Sequence, residues 1–193
     1  SISSPDKDFI WNDDGIEGSW KFLRKVYNQI LNIKIAKSSE KFAHKLNKTI
    51  KNVTADIEYF KYNLALIQIR ELFNSLEKEI SKKDLESLIK LLSPFAPHIA
   101  EELWEKLGNN EFISLVEWPK FYEKRINEKF DKAEQITEKT ISDILNILKI
   151  VRERGGREIK IVYLYVLPNE VGFYNASELS TRIRKEIKIF AVN

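Results

Sequence analysis

A single amphipathic run limits what this chain can become. Phe42, Leu46, Ile50, Val53, Ile57 and Phe60 recur at three- and four-residue steps, so in a helix they share one side centred near Val53. Lys37, Lys41, Lys45 and Lys48 centre about 150° away, on the opposite side. A strand, with its period of two, cannot sort the residues this way. The spacing predicts a helix with an apolar face for a core and a basic face continuous over about three turns.

Most of the chain keeps a helical period. Only six Gly and five Pro stand in 193 residues, too few for the many turns of a β-sandwich or barrel. Residues 1–13 read as an extended entry: Pro5 biases Ser4 away from helix, and Phe9 and Trp11 are expected to dock on the body. Asn12, Asp13 and Asp14 are N-cap candidates for a first helix to about Ala36, with Ile16, Trp20, Leu23, Tyr27, Ile30 and Leu31 as its apolar stripe. A third helix is expected from Asn63 to about Ile80. Ser81 caps a fourth over Leu85 to Leu92, and Pro97 opens a short one that stops at Gly108-Asn109-Asn110.

Residues 109–130 read as a wrapped connection, and a long helix follows from about Lys132 to Arg154. After Gly155-Gly156 the texture changes. Residues 159–167, IKIVYLYVL, are β-branched and aromatic, hence a strand. A helix over 177–185 and a second strand over 187–192 complete a strand–helix–strand piece. The expected fold is mainly α: an antiparallel helical bundle over 1–155, then a small α/β module over 156–193.

Charge narrows the class of partner. The net charge is +3, but ten Lys/Arg against three acids lie between Lys21 and Lys61, about +7, which leaves about −4 elsewhere. A local basic region in a near-neutral chain fits a polyanion. Lys21, Arg24 and Lys25 on the first helix are candidate phosphate contacts or a solvated face. For the stripe Lys37, Lys41, Lys45 and Lys48, solvation is the plainer reading of a charge run. There is no Cys and only His44 and His98, so neither a disulfide scaffold nor a metal site is expected. No apolar run approaches the roughly 20 residues of a membrane span, and the opening SISSPDKDFI lacks a signal-peptide core.

No catalytic constellation stands out. There is no P-loop, GxGxxG or GxSxG pattern. His98 and Glu102 share a helix face, a spacing that could serve acid–base work. The plainer reading has Glu102 hydrogen-bonded or ion-paired at the helix surface and His98 capping or packing. Trp20 and Trp104 lie on apolar helix faces and are expected in the core.

Two segments resemble a known family. SSPDKDFIWNDDGIEGSWKFLRKVY at 3–27, and LLSPFAPHIAEELWEKLG at 91–108 with SLVEWP at 114–119, resemble the anticodon-binding-type helical domain of class Ia aminoacyl-tRNA synthetases. The PHIAEELW wording points to the leucyl enzymes. The tail IKIVYLYVLP is similar to the C-terminal extension of the archaeal type.

The resemblance implies a tRNA-holding part whose partners are tRNA(Leu) and the parent enzyme's own catalytic domain. ATP-dependent leucylation, with ATP and Mg2+, belongs to an upstream domain with HIGH- and KMSKS-type motifs, and those motifs are not in this sequence. These residues should therefore be non-catalytic and hold no cofactor, in a monomeric, cytoplasmic parent. Asp14, Gly15, Gly18, Trp20, Pro94, Pro97, His98, Glu102 and Trp104 are implied to be structural. Arg24, Lys25, Lys21, Lys41, Lys45 and Lys48 are the tRNA-binding candidates. The alternatives are a protein-interaction bundle docking through Trp11, Phe121 and Tyr122, or the equivalent domain of a valyl-type enzyme, against which the strand at 159–167 argues.

Overall fold

The computed structural model describes residues 13–156 and 158–192. Ser4, Pro5, Phe9, Trp11 and Asn12 lie outside the described residues. The chain divides into two compact units, Ser1–Ile126 and Asn127–Asn193.

The first unit is built from α1 (Asp13–Leu31), β1 (Lys34–Ile35), α2 (Glu40–Glu58), α3 (Tyr62–Asn74), β2 (Glu79–Ile80), α4 (Lys82–Leu92) and α5 (Pro97–Lys106). Local chemistry sets the helix ends. The Ser39 hydroxyl accepts from the Phe42 N–H, and the Ser81 hydroxyl from the Asp84 N–H, each satisfying a donor that the first turn leaves open. Pro97 sits at the start of α5, where its missing N–H costs nothing. Phe60, at φ 58°, turns the chain from α2 into α3.

The core joins Phe42, Leu46, Ile50 and Val53 of α2 to Ile69, Leu72 and Phe73 of α3 and to Leu85, Leu88 and Leu92 of α4. Each fully buried side chain of this size contributes about 1.5–3 kcal/mol. The expected α2 stripe is thus the core face, although its last member, Phe60, is exposed.

Two helices end earlier than the periodicity suggests. α1 stops at Leu31, not near Ala36, and α3 at Asn74, not near Ile80. The residues beyond them form a parallel bridge instead, Lys34 beside Glu79 and Ile35 beside Ile80. Ile80 is fully buried there.

The second unit contains α6 (Glu128–Glu153), β3 (Ile161–Val166), α7 (Ala176–Ile183) and β4 (Glu186–Ala191). The strands are parallel, with Ile161 beside Glu186 and Val166 beside Ala191, and α7 makes the crossover that parallel pairing requires. Ile141 and Ile144 of α6 pack with Leu179, Ile183 and Ile187, and Arg182 pairs with Glu138. By compactness the chain divides after Ile126. The α6 stripe marks an apolar face but does not say which core receives it.

Candidate nucleic-acid interface

The side of α1 that meets the core decides which of its cations face water. Val26 and Ile30 are buried, and Phe22 and Leu23 pack against the same core. Phe22 meets Phe73 edge to face, with centroids 5.9 Å apart. This buried side is turned by about 75° from the centre of the stripe read from sequence. Phe22 and Val26, which that stripe omits, share the packing with Leu23, Tyr27 and Ile30, which it contains. Trp20 is 56% exposed, contrary to its expected place in the core, whereas Trp104 is buried as expected.

The exposed Trp20 carries Arg24, whose Cζ lies 5.3 Å from its ring centroid. Stacking of this kind uses the guanidinium face and leaves its edge donors pointing outward. Lys21 pairs with Glu17 at 2.6 Å. Lys25 donates to Asn74 Oδ1 at 2.8 Å. Arg70, one turn before Asn74 on α3, stacks 4.8 Å from the Phe22 centroid and donates to the Gly18 carbonyl at 3.4 Å. Lys21, Arg24, Lys25 and Arg70 are all exposed, and together they form a cationic flank of α1 and α3. Sequence reading missed Arg70. It is the lone cation of YNLALIQIRELFN, so no charge run announces it.

The basic side of α2 is less open than its periodicity predicts. Lys37 precedes the Ser39 cap and is not on the helix. Lys41 is exposed, but Lys45 and Lys48 are only partly so. His44, Asn47 and Thr49 are buried beside them. The four lysines do not make one continuous wet face. Asn47 shows why polarity is not exposure: its amide donates to the Ala43 carbonyl, and its carbonyl accepts from the Tyr122 N–H.

The segment around α5 is a set of tie points. The Glu101 carboxylate accepts from the Ile113 N–H, through both oxygens at 3.1 Å. Trp104 Nε1 donates to the Glu111 carbonyl at 2.9 Å. The Tyr27 hydroxyl donates to Glu102 at 2.7 Å, joining α1 to α5. That bond holds Glu102 below the usual carboxylate range, with Lys106 assisting, and raises the Tyr27 phenol above its ordinary value. His98 is exposed, and Glu102 is engaged by Tyr27. Trp118 Nε1 donates to Thr54, fastening the connection to α2. Phe121 and Tyr122 are partly exposed, each lying under a lysine ammonium, Lys51 at 5.6 Å and Lys83 at 5.2 Å. Trp11, the third member of the expected docking patch, is outside the described residues.

Residues 39–161 match the family described as the anticodon-binding domain of tRNA ligase. The leucine–tRNA ligase of Orientia tsutsugamushi is 41% identical over 139 residues, 66% of this chain and 17% of that protein. That of Petrotoga mobilis is 36% identical over 163 residues, 70% of this chain and 19% of that protein. This chain thus spans less than a fifth of the length of these relatives. The leucyl-tRNA synthetase of Agrobacterium radiobacter K84, solved as a ternary complex with tRNA and LeuAMS, superposes with a TM-score of 0.51. It is 30% identical, with 62% of this chain and 18% of that chain covered. The chain belongs to the family of anticodon-binding domains of tRNA ligases, and its relatives there include leucine–tRNA ligases.

Proposed function

We propose that this chain is the tRNA-holding part of a leucine–tRNA ligase, positioning tRNA(Leu) for leucylation carried out elsewhere in the parent protein. ATP and Mg2+ serve that reaction. The HIGH- and KMSKS-type motifs that would handle them are absent from the sequence, so no residue here is assigned to them. The parent is a monomeric cytoplasmic enzyme of the archaeal type, and its own catalytic domain is the second partner.

The observation that carries this reading is the cationic flank on a member of this family. Lys21, Arg24, Lys25 and Arg70 present exposed charge on two packed helices, an arrangement suited to backbone phosphates. Lys41 extends the basic surface. Lys45 and Lys48, partly buried, add to the field more than to direct contact. The contacts fall on the tRNA body and do not read anticodon bases.

The test is the affinity of the chain for a tRNA(Leu) transcript across a salt series. Alanine at Lys21, Arg24, Lys25 and Arg70 should weaken binding and flatten the logarithmic salt slope by about one per phosphate contact removed. An unchanged slope removes these residues from the interface.

A further inference from the structure

The two faces of the β3–β4 sheet differ in kind. The register sets Val162, Leu164 and Val166 with Ile187, Ile189 and Ala191 on one face. Most of these enter the core with α7 and α6. The other face carries Ile161, Tyr163 and Tyr165 beside Glu186, Lys188 and Phe190. Its rings are open: Tyr163 is 53% exposed, Tyr165 66% and Phe190 44%. Phe190 stacks on Tyr165 at 5.6 Å and leans on Tyr163 at 6.0 Å.

Parallel strands are ordinarily covered on both faces, so this face calls for an occupant, and its composition says which kind. A covering helix selects aliphatic residues, as the buried face has them. The open face instead sets tyrosine hydroxyls, an ammonium and a carboxylate among three rings. Such a face suits flat partners with polar edges. The charge near it is basic. Lys160 and Arg184 are exposed where the two strands begin, while the acids Glu158 and Glu186 are paired with Lys185 and Lys188. Aromatic rings that stack bases beside cations that hold phosphates are the chemistry by which sheets bind unpaired RNA.

We infer that Tyr163, Tyr165 and Phe190 form a stacking platform for unpaired nucleobases of RNA, with Lys160 and Arg184 holding the adjoining phosphates. The inference rests on the reading above only for the class of partner, since it uses different residues and a different interaction.

The experiment measures binding of the full 193-residue chain to a labelled twelve-nucleotide single-stranded RNA, with the corresponding duplex as control. Tyr165→Ala and Phe190→Ala should each weaken single-strand binding by about five-fold to about 150-fold. Tyr165→Phe should retain it and Tyr165→Leu should not, because leucine keeps the apolar area and loses the stacking face. The salt slope should stay as in the parent chain, unlike that of the Lys21/Arg24/Lys25/Arg70 variant. Circular dichroism shows that each variant is folded. Unchanged binding in the alanine variants, or a leucine variant that binds as well as the phenylalanine one, overturns the platform; the latter outcome marks an apolar docking face for protein. Ring-dependent single-strand binding by a chain whose tRNA affinity ignores the α1 and α3 cations keeps the platform and overturns only the proposed grip.

Discussion

The Arg125 guanidinium grips Asp84 with both arms, Nη1 to Oδ1 at 2.8 Å and Nη2 to Oδ2 at 2.9 Å. Asp84 opens the first turn of α4 and its side chain is 4% exposed, against 32% for Arg125. Burial works to raise the Asp84 carboxyl. Arg125, Ser38 and Ser81 together outweigh it and hold the group below its ordinary value. The pair pins the end of the long connection, through its 3₁₀ turn Glu123–Arg125, onto the bundle.

Asp84→Asn should therefore destabilise the first unit by about 3 kcal/mol, toward the low end for a broken buried pair because Arg125 is one third exposed. The sign with pH follows from the lowered carboxyl. Its contribution is fully present above the ordinary carboxylate value and is lost as pH falls through the folded one. Chemical denaturation of the wild-type chain from neutral to acid pH should show this loss, and the Asn variant should show a shallower one. Arg125→Lys, which cannot bond both oxygens in the same fork, should also lower stability.

Tyr27 should titrate late. Its hydrogen bond to Glu102 raises the phenol and lowers the carboxylate, so the tie survives from below the usual carboxylate range to above the usual tyrosine one. It is lost as pH rises through the folded Tyr27 value, or falls through the folded Glu102 value. Ultraviolet titration should find a late-ionising tyrosine that disappears in Tyr27→Phe. Glu102→Gln should return Tyr27 toward the ordinary range.

Gly108 closes α5 in the left-handed region, at φ 83°. Its N–H bonds to the Glu105 carbonyl at 2.8 Å and the Asn109 N–H to the Trp104 carbonyl at 3.4 Å, the paired bonds of a helix-ending Schellman turn. A methyl group there would meet nothing within 4 Å, so only the backbone conformation resists substitution. Gly108→Ala should cost about 1–2 kcal/mol in thermal or chemical unfolding.

Trp20 should matter for RNA binding without touching RNA. Its ring lies under the Arg24 guanidinium, a stacking that leaves the guanidinium edge donors available to a phosphate. Trp20→Ala should lower tRNA affinity in the same direction as Arg24→Ala. Trp20→Phe should restore part of the loss, since phenylalanine is a weaker but competent stacking surface. Additive losses in the double Ala variant would show that the two residues act separately.

Much of the scaffold was legible because it is periodic. The stripe from Phe42 to Ile57, the cap Ser81, and the strand–helix–strand order of the tail all appear where the spacing puts them. The misreadings share one cause: spacing reports a face and does not report what lies against it. Trp20 fits an apolar stripe, yet Phe22 and Val26 hold the contact side of α1. Lys45 and Lys48 fit a wet stripe, yet both are half-buried. Ile80 fits the end of a helix, but a two-residue bridge claims it, and two residues are too few to leave a pattern. Arg70 carried no signal at all, because a single cation earns meaning only from the ring and the carbonyl that fold brings to it.

That two-residue bridge bears on how fast the first unit can fold. Helix bundles assemble quickly because most of their contacts are close in sequence. Here Lys34 must find Glu79 across 45 positions, and Tyr27 must find Glu102 across 75. Closing such loops spends chain entropy before the contacts return it. The first unit should refold more slowly than its helical content suggests. Replacing Ile80, which anchors the parallel bridge in the core, should reveal whether that bridge forms before or after the barrier.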